Sequence, residues 1–360
     1  MLNKQILNIN DIIRLYGDKK IFLITGKNTF DFLKKKNINS ILDKLKNLTI
    51  FFKRKDVPDY NELKVIVKEC KKKDPHIIIG LGGGTVIDYA KLTRFFLYEK
   101  KIKFDIRKSN KSKNFKKLIC IPTTCGSGAE STTFSVLYKN NKKFSLNNKF
   151  MIPDFYCLIP NYIKNIKKRI ATPPALDAFS QTIESIMSIN STKKSLNFSF
   201  KSLKILSKYL FKYIKKRDLS STRKMVLAAN YAGKAINISK TTGPHALSYI
   251  FTSKYKIPHG RAVFISLKLF LKINYNRMNE KKFLKKKFKK IFSILNIRSF
   301  VEFEKIMEKL SRSYHIDIKK IRKDIKKNPD LFVKSVNLER LKNNPIKIDN
   351  HTLKEIVNSI

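Results

Sequence analysis

Short apolar runs in the first half of the chain constrain the fold more than any other feature. They alternate with polar stretches of helical periodicity, such as residues 60–73 and 85–98. Strands that alternate with helices indicate βαβ units, and therefore a doubly wound sheet. Three of the runs are almost wholly apolar, as expected of parallel strands that are buried on both faces. We predict strands at residues 21–25, 48–52, 77–81 and 118–122.

The second half of the chain has a different character. From about Tyr162 onward, long stretches have helical periodicity and strand signals are few. We predict helices at residues 175–188, 194–214, 221–239 and 283–295. The predicted fold class is therefore an α/β N-terminal domain followed by an all-α C-terminal domain. We place the boundary between Asn161 and Lys168, which gives domains of residues 1–163 and 164–360.

The formal net charge of +51 raises the question of a nucleic-acid partner. The densest basic run, residues 281–290, is interrupted by Phe283, Leu284 and Phe288 at helical spacing, which indicates the solvated face of an amphipathic helix. No zinc-finger spacing or aromatic RNA-binding signature accompanies the charge. We therefore expect no specific nucleic-acid partner. A positive field still favours anionic substrates and a phosphorylated cofactor.

Cysteine usage and hydropathy predict the compartment. The four cysteines, at positions 70, 120, 125 and 157, include no Cys-x-x-Cys pair. They are too few and too scattered for a disulfide framework or a thiolate zinc site. No apolar run is long enough to span a bilayer, and the N-terminus lacks the features of a signal peptide. We expect a cytoplasmic protein without a membrane partner.

Two loops carry the signals of a ligand-binding sheet edge. Gly82, Gly83 and Gly84 follow the third predicted strand and precede a helix that Thr85 is expected to cap. Glycines let the backbone approach a phosphate, and a helix N-terminus offers N–H groups to it. An ordinary strand-to-helix turn is the alternative, although the buried strand before the loop favours phosphate. A second loop, residues 122–131, is rich in hydroxyls and glycine and follows the fourth strand.

Four residues of the helical half could bind a metal. Asp177 and Gln181 are four residues apart, so both point from one face of a helix. His245 and His259, two of only 5 histidines, lie in segments framed by glycine and proline. A carboxylate, an amide oxygen and two imidazoles could form an N2O2 site for a divalent metal. A histidine is more often a satisfied polar residue than a ligand, so these residues alone leave the question open.

Taken together and in order, these segments resemble the iron-containing alcohol dehydrogenases. The GGGS-x-x-D loop of that family is matched by residues 82–85 and Asp88, and its Pro-Thr-Thr-x-Gly-x-Gly-x-Glu segment by residues 122–130. Its Asp-Ala-x-x-His-x-x-Glu helix corresponds to residues 177–184, and its His-Ala and Pro-His-Gly block to residues 245–260. The resemblance covers roughly residues 21–267, and the conjunction of motifs is more specific than any single one.

The resemblance implies a metal-dependent, nicotinamide-linked alcohol dehydrogenase or aldehyde reductase that forms a homodimer. It implies a metal bound by Asp177, Gln181, His245 and His259 in the cleft between the domains, with Fe²⁺ expected and Zn²⁺ or Mn²⁺ as alternatives. The metal would polarise the oxygen of a small aldehyde. The expected cofactor-binding residues are Gly26, Lys27, Gly82, Gly83, Gly84, Thr85, Asp88, Thr123, Thr124, Ser127 and Lys143.

The end of the first strand predicts which coenzyme is used. NAD-preferring relatives place an aspartate here, which accepts hydrogen bonds from the ribose hydroxyl. Gly26 removes the carboxylate that would repel a 2′-phosphate, and Lys27 offers a cation. We therefore predict that NADPH is preferred over NADH.

Two departures from the family pattern restrict the range of expected substrates. Gln181 replaces the usual histidine ligand, and Tyr249 replaces a histidine one turn after His245. With their neighbours, they resemble the phosphonate-associated branch, whose members reduce phosphonoacetaldehyde to 2-hydroxyethylphosphonate. Tyr249 is a candidate for proton delivery, with a packed aromatic ring as the alternative. The candidate substrate-binding residues are Thr252, Ser253, Lys254 and Arg261.

Three alternatives share parts of this pattern. Another member of the family could act on a different small aldehyde or on a sugar-like alcohol. A related cyclising synthase uses the same fold but retains NAD. Its carbohydrate-phosphate site requires more polar residues than residues 179–188 provide. A basic nucleic-acid-binding protein on a degenerate enzyme scaffold would show steep salt-dependent affinity for DNA or RNA.

Overall fold

The chain divides into two compact units, which we describe separately. One comprises Met1–Thr124 and Gly128–Asn165, and the other comprises Cys125–Ser127 and Ile166–Ile360. The computed structural model describes residues 5–6, 8–34, 44–106, 115–140, 142–164, 166–312 and 318–360. Within these ranges, no helix combines the length and the apolar character that crossing a membrane requires.

A parallel sheet forms the centre of the first unit. The strands of this unit are β1 Gln5–Ile6, β2 Ile21–Gly26, β3 Leu48–Lys53, β4 Ile77–Gly82, β5 Lys117–Pro122, β6 Phe134–Lys139, β7 Lys142–Asn147 and β8 Phe155–Tyr156. The sheet has the order β1-β8-β5-β4-β2-β3, and all of these neighbours run parallel. β2 and β4 are buried at every position, whereas the edge strand β3 is half-buried throughout. The four predicted strands are confirmed, each within one residue at either end.

Helices cover the sheet, and an antiparallel hairpin accompanies it. Among its described residues, this unit has the helices α1 Ile9–Tyr16, α2 Lys27–Lys34, α3 Tyr60–Lys73 and α4 Gly84–Phe96. α4 follows β4 and buries almost all of its residues, because it packs on β4, β5 and α3. β6 and β7 form the hairpin, which the sequence pattern does not predict. Its strands are only partly buried and carry several lysines, so they lack the apolar signal of the central strands.

Helices make up the second unit. They are α5 Lys168–Met187, α6 Lys193–Lys215, α7 Leu219–Ser239, α8 Gly243–Ser253, α9 His259–Asn276, α10 Lys282–Leu295, α11 Phe300–Ser311, α12 Ile318–Lys327, α13 Pro329–Lys334, α14 Leu338–Leu341 and α15 Asn350–Asn358. α5 is buried along most of its length and packs against α6, α7 and α9, which makes it the central helix. The sequence predicted its start at residue 175, after two prolines. In the structure the helix begins at Lys168, and Pro173 and Pro174 lie within its second turn.

The lysine-rich run forms an amphipathic helix, as predicted. α10 buries Leu284, Phe288 and Ile291, while most of its lysines are exposed. Buried apolar residues at this spacing occupy one stripe of the helix, and the charges occupy the opposite face. The run is therefore accounted for by the fold of the second unit.

Candidate functional site

Three of the four predicted metal ligands lie together in the second unit. Ligand atoms of Asp177, His245 and His259 are all within 4.8 Å of one another. Asp177 lies on α5, His245 lies in the first turn of α8, and His259 is the first residue of α9. Asp177 and His245 are buried, and His259 is half-buried. A carboxylate and two imidazoles at this spacing suit Fe²⁺, Zn²⁺ or Mn²⁺.

The polar atoms of this cluster fit a bound cation. Asp177 Oδ1 is buried, and among the residues that the structure describes it has no hydrogen-bond partner. It lies 3.5 Å from Nε2 of His245. A buried carboxylate oxygen without a hydrogen bond is costly unless something compensates its charge. A divalent cation held by Asp177, His245 and His259 would provide that compensation.

Gln181 is buried one turn after Asp177 on the same face of α5. Its Nε2 donates a hydrogen bond to the carbonyl oxygen of Gly126 at 2.6 Å. An amide that donates through nitrogen keeps only its carbonyl oxygen for a cation. The place of Gln181 in the ligand set stays a prediction.

Substituting Gln181 tests that prediction. An imidazole is a better ligand than a neutral amide for the metals in question, so Gln181→His is expected to tighten metal binding without abolishing turnover. Gln181→Ala is expected to weaken metal binding. Competition titrations with a chelator measure both changes. Unchanged affinity in both variants would remove Gln181 from the ligand set.

Glu184 is a further functional candidate, for which the sequence alone predicts no role. It is buried on α5, seven residues after Asp177 and on the same helix face. Its Oε2 lies 2.5 Å from His245 Nδ1. Its Oε1 accepts hydrogen bonds from the backbone N–H groups of Thr242, at 3.0 Å, and of His245, at 3.2 Å. Glu184 therefore engages Nδ1 of His245, so that Nε2 is the ring atom left for a metal.

Two carboxylates act on the protonation of His245. Burial lowers the pKa of this imidazole, but the charges of Glu184 and Asp177 and the hydrogen bond to Glu184 outweigh burial and raise the pKa to about 9. A ligating imidazole must be neutral, so a metal ion and a proton compete for this ring.

Close helix packing brings the ligand histidines to α5. A Cβ atom placed on Gly260 would lie 1.9 Å from the backbone oxygen of Pro173 and 3.0 Å from Cβ of Asp177. No side chain fits in that space. Glycine at position 260 therefore lets the first turn of α9, which carries His259, lie directly against the turn of α5 before Asp177.

The glycine loop of the first unit connects β4 to α4. β4 ends at Gly82, and Gly83 occupies the position before the first residue of α4, where no side chain caps the helix. The prediction that Thr85 caps this helix is wrong, because the helix begins one residue before Thr85. The Thr85 hydroxyl instead donates to the backbone oxygen of Asp56 at 2.9 Å. An uncapped helix start after glycines suits a phosphate.

Other predicted cofactor residues surround this loop. The Thr123 N–H donates to the Gly82 oxygen at 2.9 Å, and a Cβ on Gly83 would lie 3.5 Å from the Thr124 side chain. Asp88 accepts a hydrogen bond from the backbone of β6 at Val136, at 3.1 Å. Burial raises the pKa of Asp88 to about 6, although the charges of Lys91 and Lys143 act to lower it. Asp88 thus ties α4 to the hairpin, and its contact with a cofactor stays a prediction.

Three further cofactor candidates lie on other segments of the chain. Gly26 ends β2 and Lys27 begins α2, where Lys27 Nζ lies 3.4 Å from Asp31 in an exposed pair. Ser127 is half-buried in the short segment that belongs to the second unit. The cofactor roles of these residues stay predictions.

The predicted substrate residues lie on α8, at its end, and on α9. The hydroxyls of Thr252 and Ser253 donate to backbone oxygens of their own helix. Lys254 forms an ion pair with Asp324 of α12 at 3.0 Å, and this contact does not favour a role in substrate binding. Tyr249 and Arg261 are half-buried. Arg261 is the closest of these candidates in sequence to a predicted ligand, two residues after His259. The substrate and proton-delivery roles stay predictions.

Comparison with known proteins gives the same family along nearly the whole chain. Residues 2–160 match the family described as iron-containing alcohol dehydrogenase, and residues 171–359 match the C-terminal domain of the Fe-containing alcohol dehydrogenase family. The 4-hydroxybutyrate dehydrogenase of Clostridium kluyveri is 30% identical over 217 residues, which are 59% of this chain and 58% of that protein. The phosphonoacetaldehyde reductase of Streptomyces viridochromogenes is 29% identical over 162 residues, 44% of this chain and 41% of that protein.

A solved structure extends the fold comparison to the full length. Sulfoacetaldehyde reductase from Bifidobacterium kashiwanohense, in complex with NAD⁺, superposes with a TM-score of 0.76 at 21% identity, covering 98% of this chain and 93% of that chain. The likeness shows a common fold. The matches to the two curated relatives above span less than two thirds of the length of either relative.

Proposed function

The chain belongs to the iron-containing alcohol dehydrogenase family, and from that premise we propose that it reduces a small anionic aldehyde to an alcohol. The observation that carries the proposal is the cluster of Asp177, His245 and His259, in which the first two residues are buried and the third is half-buried. The proposed metal is Fe²⁺, with Zn²⁺ and Mn²⁺ as alternatives, and the proposed reductant is NADPH or NADH. Cytoplasmic location and homodimer formation are parts of the same proposal.

Each part of the proposed site has a distinct task. Asp177, His245 and His259 hold the metal, Gln181 is the fourth ligand, and Glu184 orients His245. The glycine loop after β4 binds the coenzyme pyrophosphate through backbone N–H groups. When bound, a divalent cation supplies Lewis acidity toward the carbonyl oxygen, and a reduced nicotinamide supplies hydride. Burial of Asp177 and His245 limits the access of water to their ligand atoms.

The proposed substrate is phosphonoacetaldehyde, which yields 2-hydroxyethylphosphonate. The phosphonoacetaldehyde reductase of S. viridochromogenes supports this choice at 29% identity. 4-Hydroxybutyrate and sulfoacetaldehyde, named for two other similar proteins, also carry an anionic group at the end of a short chain. The net charge of +51 favours anionic substrates as a class. The alternative is another small or sugar-like alcohol or aldehyde.

The test follows NADPH absorbance with purified, Fe²⁺-reconstituted protein. Phosphonoacetaldehyde, sulfoacetaldehyde and succinic semialdehyde are offered beside the neutral acetaldehyde and lactaldehyde. We expect the highest kcat/KM with phosphonoacetaldehyde. A preference for another anionic aldehyde would retain the class and replace the substrate. Turnover only of neutral aldehydes would refute the anionic substrate class, and no turnover with metal and coenzyme bound would refute the proposed activity for these substrates.

A further inference from the structure

A lysine is fully buried on the helix that begins at the glycine loop. Lys91 lies on α4, whose first residue is Gly84, and the exposed fraction of Lys91 is 0%. A buried ammonium is costly unless hydrogen bonds and opposite charges compensate for the loss of water. The proposed coenzyme site does not include Lys91, so the position of this residue has a different reason.

The ammonium of Lys91 uses all of its donors within the first unit. Nζ donates to the backbone oxygen of Ala129 at 3.0 Å, to the hydroxyl oxygen of Thr132 at 2.9 Å and to the backbone oxygen of Phe134 at 2.5 Å. An ammonium has three N–H donors, so none is left for a ligand. Burial lowers the pKa of Lys91 to about 8, although the charge of Asp88 acts to raise it.

The backbone turns sharply where Lys91 contacts it. Gly128 has a φ of 57°, a single 3-10 turn follows at Ala129–Ser131, and β6 begins at Phe134. Buried carbonyl oxygens in such a turn require donors, because few of them belong to a helix or a strand ladder. A long side chain with three donors can satisfy several of them at once, which an apolar side chain of the same length cannot do. Lys91 therefore fixes this turn to α4.

The turn leads directly into the hairpin of β6 and β7. Asp88, one helical turn before Lys91, accepts a hydrogen bond from the Val136 N–H at 3.1 Å. The two side chains therefore hold the start of β6 through the oxygen of Phe134 and the N–H of Val136. β7 pairs with β6 along its whole length and carries Lys143, whose charge acts on Asp88. The position of Lys143 relative to α4 thus depends on these contacts.

We propose that Lys91 is a positioning residue for the coenzyme, because it fixes the hairpin that carries Lys143 to the helix that begins at the glycine loop. The glycine loop and Lys143 are both proposed coenzyme contacts, and Lys91 sets the distance between them without touching the ligand. This inference rests on the proposed function in one respect, the binding of a nicotinamide coenzyme to the first unit.

A double-mutant cycle tests the inference, with NADPH and NADH binding to the full chain measured by nucleotide fluorescence without aldehyde. Lys143→Met is expected to weaken binding of the preferred coenzyme about 10-fold, the usual scale for a lost charge-assisted hydrogen bond. Lys91→Met, which keeps the length and removes the donors, is expected to cause a loss of similar size. The double variant should bind within about 2-fold of Lys91→Met, because Lys143 is already displaced there. Independent effects would multiply instead.

Thr132→Val tests the same contact with less risk to folding. It removes the hydroxyl that accepts a hydrogen bond from Lys91 and keeps the shape of the side chain. Coenzyme affinity should fall less than in Lys91→Met. Combined with Lys143→Met, this variant should again show a loss smaller than the product of the two single losses.

Arg94→Met is the matched control. Arg94 is a second buried cation on α4, and it donates to Asp154 at 2.8 Å and to the backbone oxygen of Ile152 at 2.6 Å, both of which follow the hairpin in sequence. Its loss should lower the midpoint of thermal unfolding, and any loss of coenzyme affinity should multiply with that of Lys143→Met.

Three results would overturn the inference. They are wild-type coenzyme affinity in Lys143→Met or in folded Lys91→Met, losses that multiply in the double variant, and coupling of the same size in Arg94→Met. Failure of the wild type to bind either coenzyme would refute the proposed function as well. Because no aldehyde is present, failure of the substrate assay leaves this result intact.

Discussion

Glu184→Gln is expected to weaken metal binding about 10- to 100-fold, the range observed when a residue that orients a metal-ligating histidine is lost. The carboxylate only accepts hydrogen bonds: Oε2 from His245 Nδ1, and Oε1 from two backbone N–H groups at the start of α8. A glutamine side chain offers one acceptor and one donor. In one orientation its NH₂ group faces the Nδ1–H of His245. In the other, the NH₂ group faces the N–H groups of Thr242 and His245.

The first of these orientations changes the histidine tautomer. If the glutamine donates to Nδ1, the proton of a neutral imidazole moves to Nε2, and Nε2 can no longer bind a metal. The second orientation places donors against donors at the buried start of α8. Both routes weaken the same ligand. The loss should therefore appear as lower metal affinity, and activity should recover in part when metal is supplied in excess.

Chelator competition and thermal unfolding, measured on the same samples, separate this effect from a general loss of stability. Asp218→Asn is the control, because Asp218 caps α7 through Ser221 N at 2.7 Å and is not part of the cluster. It should leave metal affinity unchanged. Wild-type affinity in Glu184→Gln would contradict the orienting role of Glu184, and an equal loss in Asp218→Asn would show that metal affinity only reports stability.

The sequence predicts those parts of the fold that depend on interactions between residues close together in the chain. A buried parallel strand is a continuous apolar run, so the apolar runs in the sequence predict β2, β4 and β5. β1 and β8 contain two residues each and present no period. The hairpin of β6 and β7 is half-exposed, and its stability depends on packing against the rest of the unit. A single-sequence pattern does not contain that information.

In the candidate site, too, the sequence predicts the features that depend on local spacing and not those that depend on the packing of helices. The spacing of Asp177 and Gln181 predicts a common helix face, and Glu184 extends that face by one turn. That Glu184 meets the N-terminus of α8 depends on how two helices pack, which no local period specifies. The ion pair of Lys254 with Asp324 likewise joins residues that are 70 positions apart in sequence. Motif resemblance could suggest Lys254 for the substrate, but only the fold shows its partner.

Gly260→Ala is expected to destabilise the second unit by about 1–3 kcal/mol or more and to weaken metal binding. The added methyl would lie 1.9 Å from the backbone oxygen of Pro173, and a backbone atom cannot rotate away as a side chain can. α5 and α9 must then separate by an ångström or so, on the order of the overlap with normal contact distances. Asp177 lies on α5 and His259 on α9, so the same movement separates two proposed ligands.

Urea unfolding and chelator competition measure the two effects of Gly260→Ala. Gly83→Ala is the matched control, since among the residues that the structure describes a Cβ at position 83 meets only the Thr124 side chain, at 3.5 Å. Metal affinity should be unchanged in the control, and its unfolding midpoint should move little. Lower stability with unchanged metal affinity in Gly260→Ala would mean that the ligands adjust independently of the helix contact. If both properties stayed at wild-type values, the packing of α9 on α5 could not be what sets the spacing of the cluster.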